Sequence, residues 1–219
     1  MTEELEARIE LAAAMRVLNH TFVAHASDSA TLKKLAGDLR DAVATISNGP
    51  RRDRLALMRA ARHAAIEAAG GEEVAFVGES AESGFSDRAV AGIANPTSIE
   101  FDVDYETDEV VARFTLGRAF EGAPGRAHGG MVAAAFDDVT GWVIAHIQEP
   151  AFTGELTVRF VGPIPVDTEL TVRARLESRE RRKLFITGEL TADGVVVATC
   201  KAIYITVDPT IFAGAGDSR

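Results

Sequence analysis

Cysteine is almost absent from this chain, which carries one such residue, Cys200, among 219. An internal disulfide is therefore excluded, and one thiol cannot by itself build a Cys-type zinc site. Aromatic residues are also scarce, at 6% of the chain. Hydrophobic residues make up 47%, an ordinary share for a globular protein, and the length suits one large domain or one domain with an extension.

Positive charge is in deficit, with 23 Lys and Arg against 33 Asp and Glu, a formal net charge of −10. Because phosphate binding is driven by Lys and Arg, this balance argues against nucleic acid as the main partner. No apolar run approaches the ~20 residues of a membrane span. The first residues, Met1-Thr2-Glu3-Glu4, are acidic where a secretory signal is basic. We therefore expect a cytoplasmic protein without a membrane span.

Helical spacing dominates the chain before about residue 72, as at Leu32, Leu35 and Leu39. Ser27-Asp28-Ser29 is a helix start signal, and the Gly70-Gly71 pair ends the region. We divide the chain into an N-terminal helical extension, 1–72, and a second domain, 73–219. The apolar stripes of the extension are expected to pack on the outer face of a sheet or on a neighbouring subunit. The predicted helices span about 3–25, 29–47 and 52–69.

From about residue 98 the apolar period changes to two. Leu170, Val172 and Ala174 alternate with polar neighbours, and the same pattern recurs in several later segments. Such alternation predicts antiparallel strands that cover a core on one face. The predicted order is two strands, one buried helix and four strands. An α+β fold follows, in which the sheet curls around that helix.

The predicted buried helix opens at Gly129-Gly130 and is almost entirely apolar, yet it carries two adjacent acids, Asp137 and Asp138. A buried carboxylate is costly unless it is paired, hydrogen-bonded or functional. The N–H groups that start a helix have no intrahelical partner and suit a carbonyl oxygen or an anion. A carbonyl-polarising donor and a carboxylate are two of the parts that acyl-transfer chemistry needs.

A family resemblance rests on these residues and on their spacing. Gly122-x-Pro124-Gly125-x-x-His128-Gly129-Gly130 is followed by an acid nine residues after the histidine, by Phe152-Thr153-Gly154-Glu155-Leu156-Thr157-Val158 and by Pro163-Ile164-Pro165. This arrangement resembles the hotdog-fold acyl-CoA thioesterases of the PaaI and THEM type, and Gly92-Ile93-Ala94-Asn95-Pro96 resembles the segment before the first core strands of the THEM branch. The likeness covers about 85–207 and implies an antiparallel sheet wrapped around one long buried helix. The chain departs from the pattern at Glu155, where many relatives have Asn.

The resemblance implies thioester hydrolysis without a metal or an organic cofactor, coenzyme A being part of the substrate. It assigns Asp137 as general base or nucleophile, the Gly129 N–H as the donor that polarises the thioester carbonyl, and Thr153 as a polar group near the attacking water. It also adds His128 to the catalytic set, unless that ring only fixes the loop, and it places Gly130, Asn95 and Glu155 in contact with the substrate.

A basic run, Arg179, Arg181, Arg182 and Lys183, allows two interpretations. It is a solvated hairpin turn, or it binds the phosphates of coenzyme A. On the second interpretation Arg182 and Lys183 are predicted substrate-binding residues.

The distance between the predicted donor and the predicted base indicates more than one subunit. Gly129 and Asp137 are eight residues apart, roughly 12 Å along a helix. Hydrogen-bond reach is about 3 Å, so one helix cannot supply both groups to one carbonyl. We therefore expect a homodimer or a dimer of dimers, as the resemblance also implies.

Two other functions are possible for such a domain. A non-catalytic acyl-CoA sensor would join it to a DNA-binding helical segment, and the arginines at 51, 52, 54, 59 and 62 against Asp53 give a suggestive local charge. Over residues 1–72, however, ten Lys and Arg meet ten Asp and Glu, a poor balance for binding DNA. A hydratase or dehydratase would pair a His with an acid in motifs that this sequence lacks. Thioester hydrolysis is the leading hypothesis.

Overall fold

The N-terminal region consists of three helices in the computed structural model, which describes residues 2–68, 70 and 86–208. They are α1 (Glu3–Ala24), α2 (Ser29–Ser47) and α3 (Arg54–Ala68), within two residues of the predicted limits. The Asp28 carboxylate accepts the N–H groups of Ala30 and Thr31 and thereby caps α2. The predicted domain boundary after residue 72 lies outside the described residues.

A six-stranded antiparallel sheet makes up most of the remaining structure. Its strands are β1 (Phe101–Tyr105), β2 (Val110–Thr115), β5 (Ala151–Phe160), β6 (Glu169–Glu180), β7 (Lys183–Ala192) and β8 (Val195–Thr206). Their spatial order is β1-β2-β6-β7-β8-β5, so β1 and β5 are the edge strands.

One long helix, α4 (Gly129–His146), packs against β2 and β5–β8. Phe136, Val139 and Val132 are fully buried between helix and sheet. The predicted sheet around a buried helix is therefore confirmed. Burial is not uniform around α4, because Asp137 and Asp138 lie on a side that is only partly covered within this chain.

Three short elements between β2 and α4 were not predicted. A 3-10 turn, η1 (Arg118–Phe120), leads into a small hairpin of β3 (Glu121–Ala123) and β4 (Arg126–Ala127). Strands of three and two residues are too short to show an alternating pattern. The hairpin turns at Gly125, whose φ of 72° lies in the left-handed region that glycine adopts without strain.

Helix α1 docks through one face onto the segment that precedes β1. The Arg16 side chain is buried and donates hydrogen bonds to the carbonyl oxygens of Ile93 (3.1 Å) and Asn95 (2.9 Å) and to the Glu100 carboxylate (2.7 Å). The apolar stripe of α2 is not covered in this way. Its Leu32, Leu35 and Leu39 are 37%, 42% and 48% exposed. The outer face of this chain's sheet does not bury these leucines. Their burial against a neighbouring subunit stays a prediction.

Cys200 lies inside the sheet, opposite Gly188 on the adjacent strand. A Cβ atom at position 188 would lie 2.9 Å from its Sγ atom, so glycine there leaves room for the thiol. Burial raises the pKa of Cys200 to about 12. The thiol is therefore a core group without nucleophilic character.

No helix in the described ranges is both long enough and apolar enough to cross a membrane.

Candidate active site

The N-terminus of α4 leaves one backbone donor open. The Nδ1 atom of His128 accepts the Gly130 N–H at 3.0 Å, and the His128 carbonyl oxygen accepts the N–H groups of Met131 and Val132. Among the described residues, the Gly129 N–H has no hydrogen-bond partner. His128 thus caps the helix and leaves Gly129 as the available donor. A catalytic part for His128 itself stays a prediction.

The open donor lies beside a shallow groove of about 440 Å³. The Phe160 ring lies close to Gly129. A Cβ atom at position 129 would be only 3.2 Å from Cζ of the ring. The groove is mostly apolar and contains one cationic side chain, that of Arg126. Such a groove suits an apolar ligand that ends in a polar group. Its lining residues are Arg126, Ala127, Gly129, Phe160, Gly162, Pro163 and Ile164.

Two backbone hydrogen bonds hold the turn before α4. The His128 N–H donates to the Phe120 carbonyl oxygen at 2.8 Å, and the Ala127 N–H donates to the Ile164 carbonyl oxygen at 2.9 Å. Gly122 passes so close that a Cβ atom there would lie 2.8 Å from the Cα atom of His128. The turn is therefore fixed by η1 on one side and by the β5–β6 connection on the other.

Asp137 and Thr153 meet across α4 and β5. The Thr153 hydroxyl donates to Oδ1 of Asp137 at 3.1 Å. Asp137 is half-buried and Thr153 is exposed, so water can reach this pair within one chain. The structure thus brings together two of the predicted catalytic residues.

A β-bulge in β5 turns Thr153 toward α4. Thr153 pairs with Tyr204 while Glu155 pairs with Ile203, so Gly154 is an extra residue between two successive pairs. Without the bulge Thr153 and Glu155 would share one face of the strand. Thr153 instead faces the helix, and Glu155 accepts a hydrogen bond from Thr157 at 3.3 Å on the other face. Within one chain Glu155 therefore faces away from Asp137, and its substrate contact stays a prediction.

Two hydroxyl groups, those of Tyr204 and Thr140, lie beneath Asp137 and were not among the predicted site residues. The buried Tyr204 hydroxyl lies 2.9 Å from Oγ1 of Thr140 and donates to the Asp137 carbonyl oxygen at 3.1 Å. Burial raises the pKa of Tyr204, so the phenol stays protonated. Thr140 is a polar residue on the buried side of an apolar helix, which was the available signal. The network ties the helix turn that carries Asp137 to the strand opposite Thr153.

We expect Tyr204→Phe to lower the free energy of unfolding by about 1 kcal/mol, because it removes a buried hydroxyl whose partners keep other hydrogen bonds. Urea unfolding measures the change. Tyr105, 47% exposed on β1, offers the matched control. Tyr105→Phe should change stability by less than about 0.5 kcal/mol. Equal effects of the two substitutions would contradict the network.

Four other predicted substrate-binding residues lie apart from this pair. The Asn95 side chain holds its own loop, with Nδ2 donating to the Asp87 carbonyl oxygen at 3.1 Å and Oδ1 accepting from Thr97. The Arg182 guanidinium donates to the Thr206 carbonyl oxygen, and Lys183 is exposed beside it at the β6–β7 hairpin. Gly130 is exposed beside the His128 cap.

The basic hairpin lies at the far end of α4 from Gly129. Arg179 forms an ion pair with Glu149, which follows the C-terminus of that helix. Within one chain the Arg182 region and the open Gly129 donor are therefore at opposite ends of α4. Phosphate binding by Arg182 and Lys183 stays a prediction.

Comparison with known proteins gives matches in the part of the chain that holds this site. Residues 124–199 match a family model described as the thioesterase superfamily, a range that includes Gly129, Asp137 and Thr153. The chain is 29% identical over 102 residues to acyl-coenzyme A thioesterase THEM4 of Xenopus laevis, which covers 46% of each protein. It is 37% identical over 76 residues to acyl-coenzyme A thioesterase THEM5 of Homo sapiens, 35% of this chain and 31% of the relative. The chain thus spans less than half the length of either of these two relatives.

A solved structure shares the fold over most of the chain. The crystal structure of protein RHA08564, described as a thioesterase superfamily protein, superposes with a TM-score of 0.71. The match covers 90% of this chain and 94% of that one at 22% identity. It confirms the predicted α+β fold, including an N-terminal helical region.

Proposed function

We propose that this chain belongs to the thioesterase superfamily and hydrolyses the thioester of an acyl-coenzyme A to the free acid and coenzyme A. The contact between Asp137 and Thr153 is the observation that carries the proposal. It offers a carboxylate, reachable by water, inside the matched segment. The curated relatives are acyl-coenzyme A thioesterases, which supports the substrate class.

In the proposed reaction Asp137 acts as the general base for water or as the nucleophile itself. As the base it takes a proton while the water oxygen attacks the thioester carbonyl carbon. The Gly129 N–H donates to the carbonyl oxygen as negative charge develops there. The carbon–sulfur bond then breaks, and the coenzyme A thiolate takes up the proton. Neither a metal ion nor an organic cofactor enters this scheme.

The proposed site is shared between two copies of the chain. Gly129 and Asp137 lie on one continuous helix, about 12 Å apart at 1.5 Å per residue. One copy would therefore supply Asp137 and the other Gly129. The edge strand β5 supports pairing between copies, since its outer edge has no strand partner among the described residues and Phe152 and Phe160 are 51% and 50% exposed. A homodimer or a dimer of dimers follows, and the cytoplasm is its proposed location.

Two of the five arginines that suggested the sensor alternative are engaged in ion pairs. Arg52 and Arg54 both pair with the Asp87 carboxylate, at 2.8 Å and 3.1 Å. These two guanidinium groups join the helical region to the segment before β1. Because their charge is partly neutralised by Asp87, these two arginines weaken the case for a DNA-binding surface.

A hydrolysis screen tests the proposal. We expect the purified protein to release coenzyme A, measured as free thiol, from at least one member of a panel of acyl-coenzyme A esters graded in chain length and aromaticity. The same acyl groups on pantetheine are the matched control, because they lack the nucleotide phosphates. Tight binding of coenzyme A esters with no turnover across the panel would favour the sensor instead.

A further inference from the structure

His20 links helix α1 to the 3-10 turn η1. Its Nδ1 atom accepts the Ala119 N–H at 3.1 Å, across 99 residues of sequence. Ala119 lies in the first turn of η1, where backbone N–H groups have no partner within the turn. Burial lowers the pKa of His20, although nearby Asp167 acts in the opposite direction, so the ring stays neutral and Nδ1 remains an acceptor.

The His20 ring is also held by packing between Phe120 and Gly117. It packs edge-on against Phe120 with the ring centroids 5.1 Å apart. On its other side stands Gly117, where a Cβ atom would lie 2.6 Å from Nδ1 of the ring. Any side chain at position 117 would therefore push the imidazole away from Ala119. Gly117 and Phe120 therefore hold the His20 ring with its Nδ1 atom facing the Ala119 N–H.

Turn η1 in turn holds the start of α4. The Phe120 carbonyl oxygen accepts the His128 N–H at 2.8 Å, and the His128 ring caps the Gly130 N–H at 3.0 Å. The Gly129 N–H lies between these two anchored residues. Two hydrogen bonds and two short backbone segments thus connect His20 to the open donor.

We propose that His20 is a positioning residue for the Gly129 N–H. Through His20, helix α1 fixes the position and direction of the N–H group that binds the thioester carbonyl oxygen. The inference rests on the proposed function. It gives helix α1 a part in the reaction that acts through the backbone of η1 and the start of α4. A donor misplaced by about 1 Å loses much of its stabilisation of the transition state.

Two substitutions at position 20 separate the hydrogen bond from the packing. His20→Phe keeps a ring of similar size but has no acceptor, whereas His20→Asn keeps an acceptor near the Nδ1 position and loses the ring. We expect His20→Phe to lower kcat about tenfold with little change in KM. His20→Asn should keep most of the wild-type kcat. Asn19→Ala, a change on the same helix that removes the contact with the Pro96 carbonyl oxygen, is the control and should leave kcat unchanged.

Hydrogen exchange distinguishes a failure of this inference from a failure of the proposed function. In His20→Phe the amides of Ala119 and His128 should exchange about tenfold faster than in the wild type, whether or not any thioester is hydrolysed. Gly117→Ala should reproduce this change from the other side of the ring. A folded His20→Phe protein with wild-type kcat and wild-type exchange at both amides would overturn the proposal. Wild-type protein that hydrolyses no ester would instead overturn the proposed function.

Discussion

Asp137→Ala is expected to lower kcat at least ~100-fold, the lower range for loss of a general base. The substitution removes the carboxylate that accepts the Thr153 hydroxyl, while Thr153 stays exposed and can bond to water. The fold should therefore survive, with the assembly unchanged. Steady-state hydrolysis of the best ester from the screen measures the loss, and light scattering checks the assembly.

The neighbouring acid provides the control for this experiment. Asp138 lies about 100° further around the helix, so its side chain points away from Thr153. Asp138→Ala, the matched substitution, should lower kcat by less than roughly fivefold, a small effect compared with loss of the base. Turnover close to the wild-type value in Asp137→Ala, or equal losses at the two positions, would refute Asp137 as the base or nucleophile.

Mixed subunits should recover activity that neither variant has alone. Asp137→Ala retains the Gly129 donor, whereas Gly129→Val retains Asp137 and fills the groove beside Phe160. A heterodimer of the two contains one intact site and one site with both defects. Random exchange of subunits in equal amounts should therefore restore about a quarter of wild-type activity, given a two-fold dimer. Unfolding, refolding and assay of the mixture give the measurement.

A double variant tests whether the recovery depends on sharing. Asp137→Ala mixed with a subunit that carries both Asp137→Ala and Gly129→Val forms no intact site and should stay inactive. An active monomer, or a mixture that stays inactive although heterodimers are shown to form, would remove the shared-site proposal.

The central helix and its partners were predictable because each depends on local sequence. A glycine pair before an apolar run sets the start of α4, and the acid eight residues after Gly129 falls on the same helix. The Ser27-Asp28-Ser29 cluster marks the start of α2, where Asp28 is the N-cap. These signals act over a few residues, so they do not require knowledge of which strands pair.

The bulge at Gly154 and the Tyr204 network could not be predicted in the same way. Whether Thr153 or Glu155 faces α4 depends on the pairing register between β5 and β8, which alternation in β5 alone does not reveal. Tyr204 acquires its importance from a hydroxyl on α4, 64 residues away. His20 lies still further from its partner, on a helix outside the region that the family resemblance covers.

The burial of Cys200 has a practical consequence for measuring the assembly. With a pKa of about 12, roughly one thiol in 10⁵ is ionised at neutral pH. Spin labels and fluorophores that react with thiolates will therefore not modify Cys200 in the folded protein. A cysteine introduced at Arg175, an exposed residue of the internal strand β6 and away from the proposed contact at β5, would then be the sole attachment point on each copy. The distance between two such labels would report directly on how the copies are arranged in solution.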